Sequence, residues 1–396
     1  MATKYPKLFS PLKIRNVTVK NRIAVMAHTT GYAYDHLIND RHVAYYEERA
    51  KGGAGLIILE TQIIHPTAQP VPGESYGWEE RNVPRYEKLA KAVHQHGAKI
   101  FGQIGHGGRN LADGGVSRLP IWGISTIPVS PVGEIPHIMD EGELAEVQRC
   151  YVRAASHLKA GGFDGVELHA THGYLFQQFW SLVTNNRTDR YGAGSLDDRL
   201  RFTLEVIDKV RAEIGNDIVL GMRMCGDEFF PMGGLTLDDT KEIAKRLEAT
   251  GKLDYLSVSG GFGQTPFLIV ADGTFPRGVH VHLAAGIKEV VKSIPVIASQ
   301  RIVDPQQAEE VLAAGQADLI GMTRATIADP ELPKKAEEGR IDEIRVCIAC
   351  NQLCAANSFA GRPILCVVNP DAGYEAEFGL GSVKKAKKQK RVLVVG

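Results

Sequence analysis

The chain has 396 residues, and its 46 Lys and Arg residues balance its 46 Asp and Glu residues, so the formal net charge is zero. This balance excludes the basic surplus typical of nucleic-acid-binding proteins, and 44% hydrophobic residues exclude a disordered chain. No apolar run approaches the roughly 20 residues of a membrane helix, and the first residues lack the apolar core of a secretory signal. We therefore expect a cytoplasmic protein with neither nucleic acid nor membrane as partner.

Short apolar and β-branched runs alternate along the chain with longer segments of helical periodicity. In chain order, the predicted strand and helix of each pair are 23–27 with 41–51, 55–60 with 84–95, 99–104 with 141–160, 165–169 with 198–214, 218–223 with 237–249, 255–259 with 282–293, 295–299 with 305–314, and 318–322 with 330–338. This alternation indicates a parallel sheet, because each parallel pairing needs a crossover helix. Eight such pairs fit an α/β protein with a closed (β/α)8 TIM barrel over residues 1–340.

A doubly wound open sheet is the alternative architecture. It usually begins with a glycine-rich phosphate turn after its first strand. Here the first predicted strand runs into Met26-Ala27-His28-Thr29-Thr30, which contains no glycine, so the barrel is favoured. The stretches 61–82 and 106–140 are predicted to be long loops at the carboxyl ends of the strands, where barrel enzymes carry their active sites.

Four of the six cysteines cluster in residues 341–380, with the spacing C-x2-C-x3-C-x11-C; they are Cys347, Cys350, Cys354 and Cys366. A close triplet with one distant cysteine is typical of an iron–sulfur cubane, and structural zinc is the alternative. The other two cysteines, Cys150 and Cys225, are interpreted as packing residues.

Residues 381–396 combine a basic run, KKAKKQKR, with the final VLVVG. A solvated linker is favoured for the basic run over a nuclear signal or a nucleic-acid patch, because the net charge is zero. The final residues are typical of the first strand of a dinucleotide-binding domain. We therefore expect the sequence to be a fragment that stops at the start of such a domain.

Polar side chains with long reach follow the predicted strands and should meet on one rim of the barrel. In a barrel the loops after the last two strands often bind phosphate, and Arg301, Thr323 and Arg324 are placed there. His169, His172 and Tyr174 follow the fourth strand. Two imidazoles and a phenol could bind a carbonyl oxygen and deliver a proton; a metal site or purely structural histidines are the alternatives.

The whole chain resembles the old yellow enzyme superfamily, and within it the iron–sulfur branch that includes 2,4-dienoyl-CoA reductase, trimethylamine dehydrogenase and dimethylglycine demethylase. The motifs that carry the resemblance are LFSPL at 8–12, KNRI at 20–23, HATHGYL at 169–175, NRTDRYG at 186–192 and the four cysteines. The resemblance implies an FMN-bearing barrel, a 4Fe-4S cluster, and an adjoining module that takes NAD(P)H, with FAD as its candidate flavin. It also implies a small-molecule substrate and leaves assembly into a homo-oligomer open.

The resemblance also implies a role for each matching residue. His169 and His172 would bind the oxygen of an activating carbonyl, and Tyr174 would protonate the alkene carbon beside it. The implied FMN contacts are Val25, Met26 and Ala27 behind the isoalloxazine, Gln103 and Arg223 at its pyrimidine edge, and Ser299, Arg301, Thr323 and Arg324 around the ribityl phosphate.

Three segments resemble dimethylglycine demethylase more closely: 222–229, 282–289 and 321–325. In the first of them Asp227 and Glu228 could face a substrate cation, although solvation or pairing with arginine is favoured. Three functions therefore remain open: an ene-reductase, which is preferred, an oxidative N-demethylase of a small methylated amine, and a non-catalytic electron-transfer flavin module.

Overall fold

The computed structural model describes residues 3–68, 72–110, 119–130, 133–382, 384 and 386–395. Parts of the loops predicted at 61–82 and 106–140, parts of the basic run, and Gly396 lie outside these residues. The strands are β1 (Leu12–Ile14), β2 (Val17–Val19), β3 (Ile23–Val25), β4 (Leu56–Ile63), β5 (Ser75–Tyr76), β6 (Lys99–Gly105), β7 (Trp122–Gly123), β8 (His137–Ile138), β9 (Gly165–Ala170), β10 (Val219–Cys225), β11 (Tyr255–Ser259), β12 (Val296–Ala298) and β13 (Leu319–Gly321).

Eight of these strands form a closed parallel barrel. Their order is β3-β13-β12-β11-β10-β9-β6-β4, and β3 also pairs with β4. Strand β3 closes the ring, because its Ile23 is in register with Ile320 of β13 and its Ala24 is in register with Leu56 of β4. The predicted (β/α)8 barrel is confirmed, and the doubly wound alternative is excluded.

The helices are α1 (Asp40–Lys51), α2 (Val83–His94), α3 (Glu141–Ala160), α4 (Leu175–Trp180), α5 (Leu196–Ile214), α6 (Leu237–Ala249), α7 (Pro266–Ile269), α8 (Val281–Val290), α9 (Pro305–Ala313), α10 (Thr323–Ala328), α11 (Leu332–Glu337), α12 (Ala355–Phe359) and α13 (Glu375–Phe378). Four of the long helices, α1, α3, α5 and α6, begin at a side-chain cap; Asp140, for example, accepts from the Glu143 amide at the start of α3. Helices α4 and α10 were not predicted, because six residues are too few for a helical period to show.

Two apolar cores hold the barrel together. The outer core lies between strands and helices, and the inner core fills the barrel. The hairpin β1–β2 contributes Ile14 and Val17 to the inner core, together with Leu56 and Val219, which are the first residues of β4 and β10. The hairpin therefore plugs the amino end of the barrel and leaves the carboxyl ends of the strands for a site.

The cysteine-bearing C-terminal segment packs against α1 and the loop before it. The buried Arg49 guanidinium pairs with the Glu375 carboxylate at 2.6 Å and lies 3.5 Å from the Tyr45 ring centroid. The Tyr32 hydroxyl donates to the Ile364 carbonyl at 2.9 Å, and the Ile364 amide donates to the Thr30 carbonyl at 2.8 Å. These contacts fix the segment beside the barrel rim.

At the C-terminus, Val392, Leu393, Val394 and Val395 are 80–87% exposed and pair with no strand of the described chain. A strand forms only beside a partner strand, so the prediction of a nucleotide-binding strand here stays a prediction. None of the described helices combines the length and the apolar character that crossing a bilayer requires.

The Arg49–Glu375 pair should dominate the attachment of the C-terminal segment. We expect Arg49→Met to lower the free energy of unfolding by about 3 to 5 kcal/mol, because it leaves the Glu375 charge buried and unpaired. Urea denaturation followed by circular dichroism measures this. The matched control is Lys91→Met, which breaks the exposed Lys91–Glu87 pair and should cause no measurable change. Equal effects of the two variants would contradict this account.

Candidate active site

A large cavity opens at the carboxyl ends of the barrel strands. It encloses about 1350 Å³, including its open mouth. Most barrel strands contribute a lining side chain within two residues of their carboxyl end: Met26, Ala27, Gln103, His169, Arg223, Ser299 and Thr323. The barrel closure therefore brings together residues that are up to about 300 positions apart in the sequence.

One side of the cavity carries arginines and hydroxyls that were predicted to bind phosphate. Arg301, Arg324, Ser299 and Thr323 all line it. Gln300 and Arg301 have φ angles of 78° and 56°, a left-handed conformation that non-glycine residues rarely adopt. The loop after β12 is therefore held in a strained turn, a feature that is common at ligand-binding sites.

The other side of the cavity carries the aromatic and imidazole cluster. The His169 and Tyr174 ring centroids lie 4.6 Å apart, and the His169 and His172 centroids lie 5.3 Å apart. His172 has a φ angle of 62°, and Gly173 follows it with 78°. The turn is fixed because Asn110 Nδ2 donates to the His172 carbonyl at 2.6 Å.

Burial sets the protonation of this cluster. It lowers the pKa of His169 and of His172 well below the usual value, and the positive charge of Arg223 acts in the same direction. Burial raises the pKa of Tyr174 to about 12, with a further contribution from Glu74. At neutral pH the cluster therefore holds two neutral imidazoles and a protonated phenol, which can all donate hydrogen bonds.

The polar groups of the cavity fit an FMN. Several buried donors that belong to lining residues have no partner within the described protein: Arg223 Nε, Arg301 Nε and His169 Nδ1. Such groups are normally satisfied, so they indicate a polar ligand. Gly321 makes room for the Met26 side chain at the cavity, since a Cβ on residue 321 would lie 2.6 Å from it.

Val25 is not brought to the cavity with the other residues expected to contact the flavin. Its side chain belongs to the outer core, because successive side chains of a strand alternate between the two faces. Met26 and Ala27, in contrast, belong to the inner core and line the cavity.

The four clustered cysteines are free thiols that line one small second cavity. The Ala349 amide donates to Cys347 Sγ at 3.4 Å, and Ala349 and Asn351 have φ angles of 54° and 56°. Within the described residues no group of three or more His, Cys, Asp or Glu side chains is arranged to hold a metal ion. Four thiols around one cavity are nevertheless the donor set of a polynuclear cluster, which separates its ligands further than a single ion does.

Glu228 is not placed to face a substrate. It is fully buried and accepts hydrogen bonds from Gln177 Nε2 at 2.8 Å and from the Ser181 hydroxyl at 2.8 Å. Neither Glu228 nor Asp227 is among the lining residues of the cavity. The structure therefore favours the interpretation that these carboxylates are structural.

The comparisons with known proteins agree with this geometry. Residues 7–343 match the model of the NADH:flavin oxidoreductase / NADH oxidase family. The chain belongs to that family. This confirms the predicted old yellow enzyme relationship, the oxidoreductase class and, from the family, the FMN.

Three relatives illustrate the range of the family. The chain is 41% identical to an NADH oxidase of Thermoanaerobacter brockii, over 100% of this chain and 60% of the relative. It is 40% identical to the N,N-dimethylglycine/sarcosine dehydrogenase of Chromohalobacter salexigens, over 92% of this chain and 53% of the relative. A structure of a 2-naphthoyl-CoA reductase complex is 34% identical with a TM-score of 0.89, and covers 94% of this chain and 58% of that one. The chain thus spans little more than half the length of these relatives.

Several lining residues of this flavin oxidoreductase were not identified from the sequence. They include Thr61 in β4, Glu74 in the loop after β4, and Ser358, Phe359 and Ile364 in the C-terminal segment. The apolar residues between Cys354 and Cys366 were the available signal that this segment packs against something. The spacing of these apolar residues did not indicate that the C-terminal segment forms a wall of the flavin cavity.

The half-buried His28, which lines the cavity, should make this family member sensitive to acid. Burial lowers the pKa of His28 to about 4, while the unfolded chain should keep about 6.5. The stability that neutral His28 contributes is complete above about pH 6.5 and is lost as the pH falls toward 4, at about 1.4 kcal/mol per pH unit.

We therefore expect His28→Gln to make the free energy of unfolding fall less steeply between about pH 7 and pH 5. Urea titrations at each pH measure the slope. The control is His137→Gln, which changes an exposed histidine and should keep the wild-type slope. An unchanged slope in His28→Gln would mean that His28 does not cause the acid sensitivity.

Proposed function

We propose that the chain is the FMN- and 4Fe-4S-dependent catalytic part of an ene-reductase, which reduces the C=C bond of an enone or an enoyl thioester. The observation that carries this proposal is the cluster of His169, His172 and Tyr174 at one cavity with Arg223 and Gln103. The similarity to 2-naphthoyl-CoA reductase supports an acyl thioester as the substrate class.

The residues expected to hold FMN divide the cavity into two regions. Gln103 and Arg223 suit the pyrimidine edge, and Arg301 and Arg324 suit the phosphate, where guanidinium groups bind in a bidentate manner. FMN bound in this way supplies hydride transfer. The side chains of the chain itself have to bind the substrate, polarise it and supply its proton.

The two histidines polarise the substrate. As neutral imidazoles, His169 and His172 can each present an N–H group to the oxygen of the activating carbonyl. The orientation of the His172 ring is constrained, because its Nε2 lies 2.9 Å from the Ser259 hydroxyl. Negative charge that develops on the oxygen is stabilised in a buried site, where hydrogen bonds are strong.

Tyr174 is the proposed proton donor to the carbon beside the carbonyl. Its hydroxyl remains protonated at neutral pH because burial raises its pKa to about 12. A phenol with this pKa is a weak acid, but it can protonate a carbon that carries enolate charge.

We further propose that Cys347, Cys350, Cys354 and Cys366 hold a 4Fe-4S cluster. The four thiols line one cavity, and Cys354 also lines the flavin cavity, so the two cavities share a wall. The greater length of the relatives supports the predicted organisation: a barrel at 1–340, a cluster segment at 341–380, and a linker that leads into an NAD(P)H-binding module.

Oxidative N-demethylation of a small methylated amine is the second candidate function. Glu74 lines the cavity, and its charge contributes to the raised pKa of Tyr174. A carboxylate in this position attracts an alkylammonium group. The similarity to N,N-dimethylglycine/sarcosine dehydrogenase supports this candidate.

Replacement of the proposed acid should separate the two half-reactions. We expect Tyr174→Phe to slow alkene reduction by about 10²- to 10⁴-fold, the usual contribution of a general acid, and to leave chemical reduction of the flavin unchanged. Anaerobic stopped-flow absorbance of chemically reduced holoprotein mixed with an enone measures the first rate. Tyr151→Phe is the matched control, since Tyr151 is a buried tyrosine outside the cavity. Wild-type reoxidation of Tyr174→Phe would remove Tyr174 from the mechanism.

The same spectroscopy distinguishes the two candidate functions. Oxidised holoprotein is mixed anaerobically with a panel of N-methylated amines. The ene-reductase proposal expects no loss of the flavin absorbance with any amine, and reoxidation of reduced flavin by an enone or enoyl thioester. Bleaching by an amine would establish the demethylase instead. Turnover with either class excludes a non-catalytic electron-transfer module.

The cluster proposal predicts the metal content of cysteine variants. We expect Cys366→Ser to lose the iron and acid-labile sulfide of the holoprotein, because a cubane needs four thiolates. Anaerobic iron and sulfide analysis measures the loss, with Cys150→Ser as a control that keeps both. Zinc in place of iron in the wild-type protein would support the structural-zinc alternative.

A further inference from the structure

A carboxylate lies inside the barrel, immediately below the cavity, and the proposed reaction gives it no task. Glu167 is fully buried in the middle of β9. It is in register with Gln103 of β6 on one side and with Gly221 of β10 on the other. Its side chain therefore points into the barrel together with that of Gln103.

Glu167 has two hydrogen-bond donors. Gln103 Nε2 donates to Glu167 Oε1 at 2.7 Å, and the Tyr255 hydroxyl donates to Glu167 Oε2 at 3.0 Å. Tyr255 reaches across β10 because position 221 is glycine; a Cβ there would lie 2.0 Å from the Tyr255 ring. Burial raises the pKa of Glu167, while the Arg223 cation and both donors favour its ionised form.

These contacts fix the direction of the Gln103 amide. Both oxygens of the Glu167 carboxyl group accept hydrogen bonds, so Gln103 turns its nitrogen toward Glu167. The Gln103 Oε1 atom then accepts from the Thr61 hydroxyl, as observed. A rotation of the amide by half a turn would place its oxygen against the carboxylate and would exchange donor and acceptor at the cavity.

We propose that Glu167 is a positioning residue: it fixes the Gln103 amide so that a donor and an acceptor meet the pyrimidine edge of FMN in one defined order. This inference rests on the proposed contact between FMN and Gln103. Along the pyrimidine edge of FMN, an acceptor, a donor and a second acceptor follow one another. The direction of the Gln103 amide therefore decides whether its nitrogen and oxygen match the polar atoms of that edge. Glu167 also offsets part of the Arg223 charge at the cavity.

A double-mutant cycle on FMN affinity tests the proposal. The flavin-stripped chain is titrated with FMN, and quenching of flavin fluorescence reports the Kd. We expect Glu167→Gln to raise the Kd about tenfold, the size of one hydrogen bond to a charged group, because a neutral amide no longer dictates the direction of Gln103. Gln103→Leu should raise it similarly. The double variant should then be no worse than Gln103→Leu, since Glu167 acts through Gln103.

Tyr255→Phe is the matched control. It removes the other hydrogen bond of Glu167 but keeps the carboxylate and its contact with Gln103, so the Kd should stay within about twofold of the wild-type value. A loss of affinity equal to that of Glu167→Gln would indicate general damage to the barrel interior and would overturn the proposal. Additive effects in the Glu167→Gln and Gln103→Leu pair would overturn it too.

The reduction potential supplies a second readout that a merely structural role would not move. Glu167→Gln removes a negative charge beside Arg223, so the potential of the bound flavin should become more positive. The variant should show both the affinity loss and the potential shift, and wild-type values would reject the proposal.

The same variants distinguish a wrong assignment of Gln103 to FMN from a wrong positioning role for Glu167. If Gln103→Leu binds FMN as tightly as the wild-type chain, the assignment of Gln103 to the flavin is wrong. If Gln103→Leu binds FMN weakly while Glu167→Gln binds it normally, the assignment stands and the positioning role of Glu167 is wrong.

Discussion

The pairing of β3 with both β13 and β4 is the constraint on which the site depends. Only a closed ring of parallel strands points every carboxyl end at one rim. Residues separated by some 300 positions, such as Met26 and Thr323, then become neighbours; the Met26 amide donates to the Thr323 hydroxyl at 2.8 Å. An open sheet with these eight strands in chain order would place these two residues at opposite edges.

Burial determines the chemistry that this rim can perform. The imidazoles of His169 and His172 are neutral and the Tyr174 phenol is protonated for one reason, which is the cost of a charge away from water. Guanidinium groups stay charged under the same conditions, so Arg223 remains a fixed positive charge in the cavity. The site therefore combines neutral donors for a substrate oxygen with positive charge where an anionic cofactor is expected.

The sequence was sufficient to predict the barrel and about a third of the residues that line the cavity. Long periodic helices such as α3 and strand ends such as Arg223 follow local rules, which a single sequence displays. Val25 shows one limit of prediction from the sequence. The family resemblance gave its position in the first strand, but not the face of the strand to which its side chain points. Glu167 shows another, because its role depends on a glycine at position 221 and a tyrosine at position 255, and no local pattern links these three residues.

The C-terminal segment could be predicted least well, and the reason is physical. Its position depends on long-range contacts such as Arg49 with Glu375, which leave no local trace in the sequence. These contacts place Cys354 and Arg324 in the walls of both cavities. Arg324 donates to Asn351 Oδ1 at 2.7 Å, next to Cys350, and is also an expected phosphate ligand. One arginine therefore joins the loop that carries the thiols to the end of the flavin cavity, so the geometry of either site is constrained by the other.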